Sequence, residues 1–229
     1  MNNHYLYLLL NLGSIAIPFA LSFDKKVHFY TYWKSLFAGG VVMGVIYITW
    51  DIFFTHYGIW GFNDDYLTGI YLYKLPLEEC LFFVTIPYAC IFVYQTLRSY
   101  LKQDILAKIS LPLSWLLIIG LLSGAIYYHD RTYTLVNFIT CAFFIALHLS
   151  LFGKKHIGWF YLAFVVCLLP FYVVNGILTS IPIVWYNPDE IIGLRVGTIP
   201  FEDHFYNMGM LLCTLTVYEW CNKGMLKNP

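Results

Sequence analysis

Charge is what this chain has least of. Only 11% of its 229 residues are Asp, Glu, Lys or Arg, against 60% hydrophobic. A soluble domain carries about 25% charged residues. Too few polar side chains remain to face water all round, so the chain reads as an integral membrane protein. Lys plus Arg and Asp plus Glu balance at 13 each, which leaves no basic excess for a nucleic acid. The six cysteines form no C-x-x-C pair and lie in or beside apolar runs. They read as small packing residues rather than disulfides or ligands. The seven histidines include no H-x-x-H or H-E-x-x-H spacing, so no metal site is expected. A G-x-G-x-x-G run is also missing, which leaves no flavin or nicotinamide fingerprint and no cofactor to assign. Asn63-Asp64-Asp65 lacks the spaced downstream acids of a magnesium-diphosphate motif. The last apolar run holds no lysine, Lys223 coming only after its end, so a buried retinal-type Schiff base is excluded.

What the chain has is apolar length. Seven continuous runs can span about 30 Å at about 1.5 Å per residue. They are Tyr5–Phe23, Lys34–Thr55, Glu78–Leu97, Leu111–Tyr128, Tyr133–Phe152, Ile157–Leu178 and Asp203–Cys221. None alternates as a barrel strand would, so the fold class is an all-α polytopic membrane protein. The first run has no basic leader and reads as a membrane helix, not a cleaved signal. With the N-terminus outside, ten basic residues fall on the inner side: Lys25, Lys26, Lys34, Arg98, Lys102, Lys108, Lys154, Lys155, Lys223 and Lys227. Lys74, Arg131 and Arg195 fall outside. That asymmetry predicts N-outside and a cytoplasmic C-terminus.

One motif occurs twice. Asn63, Asp65, Gly69, Pro76 and Glu78 fall without a gap on Asn187, Asp189, Gly193, Pro200 and Glu202, 124 positions later. Asp51 falls on Asn175, Phe82 on Tyr206 and Tyr94 on Tyr218. Helices 1 to 3 therefore map on helices 5 to 7, with helix 4 as connector. Helices 1 and 5 match least well. Repeats that begin four spans apart run parallel, about an axis near the membrane normal. The expected units are a first repeat over 1–110, a connector over 111–132 and a second repeat over 133–229.

Each motif sets two acids, Glu78-Glu79 and Glu202-Asp203, just after a proline. Acids suit a helix start for purely electrostatic reasons. Their recurrence at matched offsets among aromatic residues points further. Glu78 shares a helix face with Phe82, and Glu202 with Tyr206; Trp60, Phe62 and Phe83 add to the first setting. A carboxyl in an apolar site can stay protonated and act as an acid. Aromatic faces stabilise a passing cation by about 0.5–2 kcal/mol each. Such a site suits carbocation chemistry on a hydrophobic olefin. It would equally serve a proton relay in a transporter. Asp51, inside helix 2, is a functional candidate or a helix clip. Arg195, like Lys74 in the first loop, could pair with an acid.

Trp50-Asp51, Gly58-Ile59-Trp60-Gly61-Phe62-Asn63 and Pro76-Leu77-Glu78-Glu79 with Phe82-Phe83 resemble the membrane-integral lycopene cyclases. So do Asn175 and Pro200-Phe201-Glu202-Asp203 with Tyr206. The likeness covers both halves in order and is to the fused form of a family that also occurs as heterodimers. It implies closure of the ends of lycopene to β-ionone rings without net redox change. Glu78 and Glu202 are then the principal acids, with Glu79, Asp203 and Asp51 as base or tuning groups. Trp60, Phe62, Asn63, Phe82, Phe83, Asn175, Arg195 and Tyr206 would line the substrate. The implied partners are lycopene, the bilayer and other carotenoid-pathway enzymes. A proton-coupled transporter and a non-catalytic pathway scaffold stay open as alternatives. Asp203 and Tyr206-Asn207 depart from the first half, so the halves need not be equivalent.

Overall fold

A computed structural model describes residues 4–225; Lys227, counted above on the inner side, lies outside them. Seven α-helices form among the described residues, one for each expected run: α1 Leu6–Leu21, α2 Trp33–His56, α3 Leu77–Tyr100, α4 Ser110–Tyr127, α5 Thr132–Phe152, α6 Ile157–Ser180 and α7 Phe201–Met225. Five of them, α2 to α6, are long and apolar enough to cross a membrane. The other two depart for different reasons. α1 has 16 residues, about 24 Å of helix against a core of about 30 Å. α7 has the length, 25 residues, but carries Glu202, Asp203, Glu219 and Lys223.

α7 lies at the centre, packed on α2, α5 and α3. α3 in turn packs on α1, α6 and α2, and α4 lies outside against α5 and α6. Ile91 of α3 and Met210, Leu211 and Leu215 of α7 are all buried in the one large hydrophobic core cluster. Outward faces carry Val41, Val45, Leu116, Ile126, Val165 and Leu169. Exposed apolar area on this scale needs lipid, not water.

The loops after α2 and α6 fold alike. Each opens with a short strand, β1 Trp60–Phe62 and β4 Val184–Tyr186, and these pair antiparallel with Gly61 opposite Trp185. Gly61 and Trp185 are themselves matched positions of the repeat, so a local two-fold passes between them. Glycine is required here, because a Cβ at Gly61 would collide with the Trp185 ring. Asn63 then caps a 3-10 turn by accepting from Asp65 N at 3.1 Å, and Asn187 does the same for Asp189 N at 3.0 Å. Gly69 and Gly193 follow at φ +79° and +87°, values that side-chain-bearing residues seldom adopt. Two tight hairpins, β2 Tyr71–Leu72 with β3 Leu75–Pro76 and β5 Arg195–Val196 with β6 Ile199–Pro200, deliver the chain to α3 and α7. The motif's spaced Asn, Gly and Pro are thus the turn chemistry that aims two helix starts at one another.

Candidate active site between the two halves

Both helix starts place two acids in their first turn, and the two acids of each pair point differently. Glu78 and Glu202 are wholly buried and turn back under their own loops. Glu78 Oε1 accepts from Thr68 N at 2.7 Å; Glu202 Oε1 accepts from Ile192 N and Thr134 Oγ1, each at 2.6 Å. Their second oxygens are buried without a hydrogen-bond partner. Their backbone carbonyls accept from Asn11 Nδ2 at 2.9 Å and Asn137 Nδ2 at 2.6 Å, which clips α1 to α3 and α5 to α7.

Glu79 and Asp203 point inward to a cavity of about 60 Å³. Tyr7 Oη donates to Glu79 Oε2 at 2.6 Å, and Tyr133 Oη to Asp203 Oδ1 at 2.7 Å. Tyr186 adds a bond to Asp203 Oδ2 at 2.8 Å. Its phenol, in the loop, is held well above its ordinary pKa, first by burial and then by the adjacent Asp203 carboxylate. It therefore remains a donor. Asp51, from the last turns of α2, is the third acid; it accepts from Tyr206 Oη at 2.6 Å and is in hydrogen-bonding contact with Glu79.

Aromatic rings wall the cavity. The Trp60 ring meets Tyr133 edge-on at 5.0 Å and Tyr206 at 5.8 Å, and Tyr133 stacks on Tyr186 at 5.9 Å. Phe62, Phe82, Asn175 and Asn207 add to the lining from β1, α3, α6 and α7. Every helix except α4 contributes.

Of the residues expected from the sequence, Asp51, Glu79, Asp203, Trp60, Phe62, Phe82, Asn175 and Tyr206 meet at this cavity. Glu78 and Glu202 lie immediately behind it. Asn63 holds its turn, Phe83 packs in the core beside Tyr47, and Arg195 is exposed, donating to Thr198 O at 2.6 Å. Tyr7 and Tyr133 were not anticipated, and Tyr186 and Asn207 were not among the expected lining residues. A signal existed for the first two: Tyr7-x-x-x-Asn11 and Tyr133-x-x-x-Asn137 are the same pattern, offset by 126 rather than 124.

A membrane-facing slot of about 550 Å³ runs between α1, α3 and α6, lined mostly by aliphatic side chains. Phe82, Asn175 and Asn207 line both this slot and the acidic cavity. These three side chains are therefore all that the slot and the acidic cavity have in common, and they stand where the two adjoin.

The sequence profile of the lycopene cyclase family matches residues 4–97 and 130–221. These two stretches cover most of the chain and leave out α4. The chain belongs to the lycopene cyclase family: it is an integral membrane protein with a cyclase role on a carotenoid. Neither a curated protein nor a solved structure matches it.

Proposed function

We propose that the protein closes the linear ends of lycopene to β-rings by acid-initiated carbocation cyclisation, at one site shared by both halves. The observation that carries this reading is a lipid-facing apolar slot that shares Phe82, Asn175 and Asn207 with a cavity holding three carboxyl groups. A long polyene enters through the slot with one end leading. The proton shared by Asp51 and Glu79 is delivered to the terminal double bond. The neighbouring double bond attacks the resulting cation and closes a six-membered ring. Loss of a ring proton then restores a double bond, so the product is an isomer of the same mass and the enzyme an isomerase. Asp203, oriented by Tyr133 and Tyr186, faces the cation and accepts that proton. General acid catalysis of this kind contributes about 10²–10⁴-fold. Trp60, Phe62 and Tyr206 flank the cation, worth about 0.5–2 kcal/mol per ring, while Phe82 and Asn175 guide the polyene at the slot's inner end.

Glu78 and Glu202 are positioning acids in this scheme: they hold the loop roofs over Glu79 and Asp203. Asn63, Phe83 and Arg195 support the same loops and core. The chemistry moves protons only and calls for no redox cofactor. Seven spans with the N-terminus outside and both motif loops on the outer face complete the topology, supported by the ten-to-three basic asymmetry. The units are the parallel repeats 1–110 and 133–229 joined by 111–132. A proton-relaying transporter would need a polar path across the bundle, whereas Ile91, Met210, Leu211 and Leu215 belong to its buried apolar core. Expression in a lycopene-accumulating host, followed by pigment chromatography, tests the reading. A cyclic isomer is expected; unchanged lycopene beside abundant, inserted protein contradicts it.

A further inference from the structure

Pseudo-symmetry predicts a second slot, because α5, α7 and α2 are the counterparts of α1, α3 and α6. It exists: a groove of about 430 Å³ lies between those helices. Seven of its ten lining residues answer to lining residues of the first slot by the repeat offsets. Ser14, Pro18, Ala89 and Pro170 of the first slot answer to Thr140, Phe144, Cys213 and Ile46 of the second. Yet the second groove shares no lining residue with the acidic cavity.

Three substitutions between the halves account for the difference. Phe144 stands where the first slot has Pro18, and its ring stacks on Tyr47 at 6.4 Å. Tyr47 meets Tyr206 edge-on at 5.1 Å, and Tyr206 is anchored to Asp51. This line of rings runs from the lining of the second groove to that of the acidic cavity, where the first half has Pro18, Phe171 and Phe82. Phe83, the counterpart of Asn207, is buried in the core. Gly13 on α1, where the second groove has Ile139, has no atom within 4 Å of where a Cβ would sit.

Resting on the cyclase reading, we propose that the α1/α3/α6 slot is the single substrate portal and that its pseudo-symmetric counterpart is closed. One end of a polyene is then cyclised per binding event. A second ring requires the half-cyclised molecule to leave and re-enter by the same portal with its other end first. Fusion of two similar halves has thus produced one working entrance, not two.

Matched variants test this. Ser14→Phe and Gly13→Phe fill the proposed portal, and Thr140→Phe fills the counterpart groove. Membranes carrying each are assayed for lycopene consumption per inserted protein. Both portal variants should lose nearly all turnover, while Thr140→Phe stays at the wild-type rate. Equal loss on both sides, or no loss in either portal variant, overturns the proposal. A second arm supplies isotopically labelled lycopene and then excess unlabelled lycopene. Labelled bicyclic product should fall by the dilution factor, because the labelled monocycle re-enters in competition. Undiluted passage of label into the bicycle overturns the single-portal scheme. An inactive wild type would instead overturn the cyclase reading itself.

Discussion

Replacing Glu79 by Gln separates proton donation from architecture. Tyr7 donates to Glu79 Oε2 at 2.6 Å, and Asp51 touches the same carboxyl. A glutamine can offer its carbonyl to Tyr7 and its amide N–H to Asp51, so the contacts survive. Stability should change by no more than about 1 kcal/mol. What disappears is the proton that the proposed scheme delivers to the substrate. A lost general acid costs about 10²–10⁴-fold, or about 2.7–5.4 kcal/mol on the barrier. Glu78→Gln is the contrast. Its Oε1 can still accept from Thr68 N, but an amide N–H₂ would occupy a buried place where the carboxylate oxygen has no partner. That costs about 1–3 kcal/mol of stability and should reduce abundance more than turnover per molecule. The assay is lycopene consumption in isolated membranes, normalised to inserted protein. The reasoning is refuted if Glu79→Gln keeps turnover within about threefold of wild type, or if Glu78→Gln loses more turnover per molecule than Glu79→Gln.

Tyr186→Phe removes one of two donors to Asp203 and should slow turnover about tenfold, as expected for about 1.4 kcal/mol of a charge-assisted bond. Because the Tyr186 phenol is raised above its ordinary value, its protonated form persists where a free phenol ionises, so the ratio of wild-type to variant rate should stay constant from pH 7 to about pH 10. Single cysteines at Asp64 and Pro188 should both react with an impermeant thiol reagent from the non-cytoplasmic side; labelling on opposite sides would sink the parallel arrangement. At the far end of the bundle, Glu219 accepts from Arg98 and, at 2.6 Å, from Tyr94. Glu219→Ala should lower stability by about 1.5–3 kcal/mol, read as a lower melting temperature in detergent, with turnover per folded molecule unchanged.

The helices were legible because apolar runs longer than a membrane thickness have few alternatives. All seven appear within a few residues of their expected limits, and the family match covers both motif copies. Only five meet a length-and-composition test for spanning. Run length alone hid the shortness of α1 and the charges that α7 carries inward. The motifs were legible as repeats, but the direction of each acid was not. Glu78 and Glu79 are adjacent, and one step along a helix turns a side chain by about 100°; only the loop overhead decides which one faces the cavity. Tyr7 and Tyr133 escaped notice because the helices carrying them are shifted by two positions relative to the rest of the repeat. Trp60 and Tyr206 were visible as aromatic neighbours of the acids, whereas the pairing of Gly61 with Trp185 that brings the two loops together leaves no local signal.

Isotope transfer from solvent tests the central claim most directly. Unlabelled lycopene is converted by washed membranes in D₂O, and the cyclic product is weighed by mass spectrometry. Protonation by an exchangeable carboxyl, followed by loss of a ring proton, leaves one deuterium for each ring formed. The account therefore predicts a gain of one mass unit per ring, with the label on the carbon that was protonated. Cyclic product with no deuterium would contradict delivery of a proton from the Asp51–Glu79 pair.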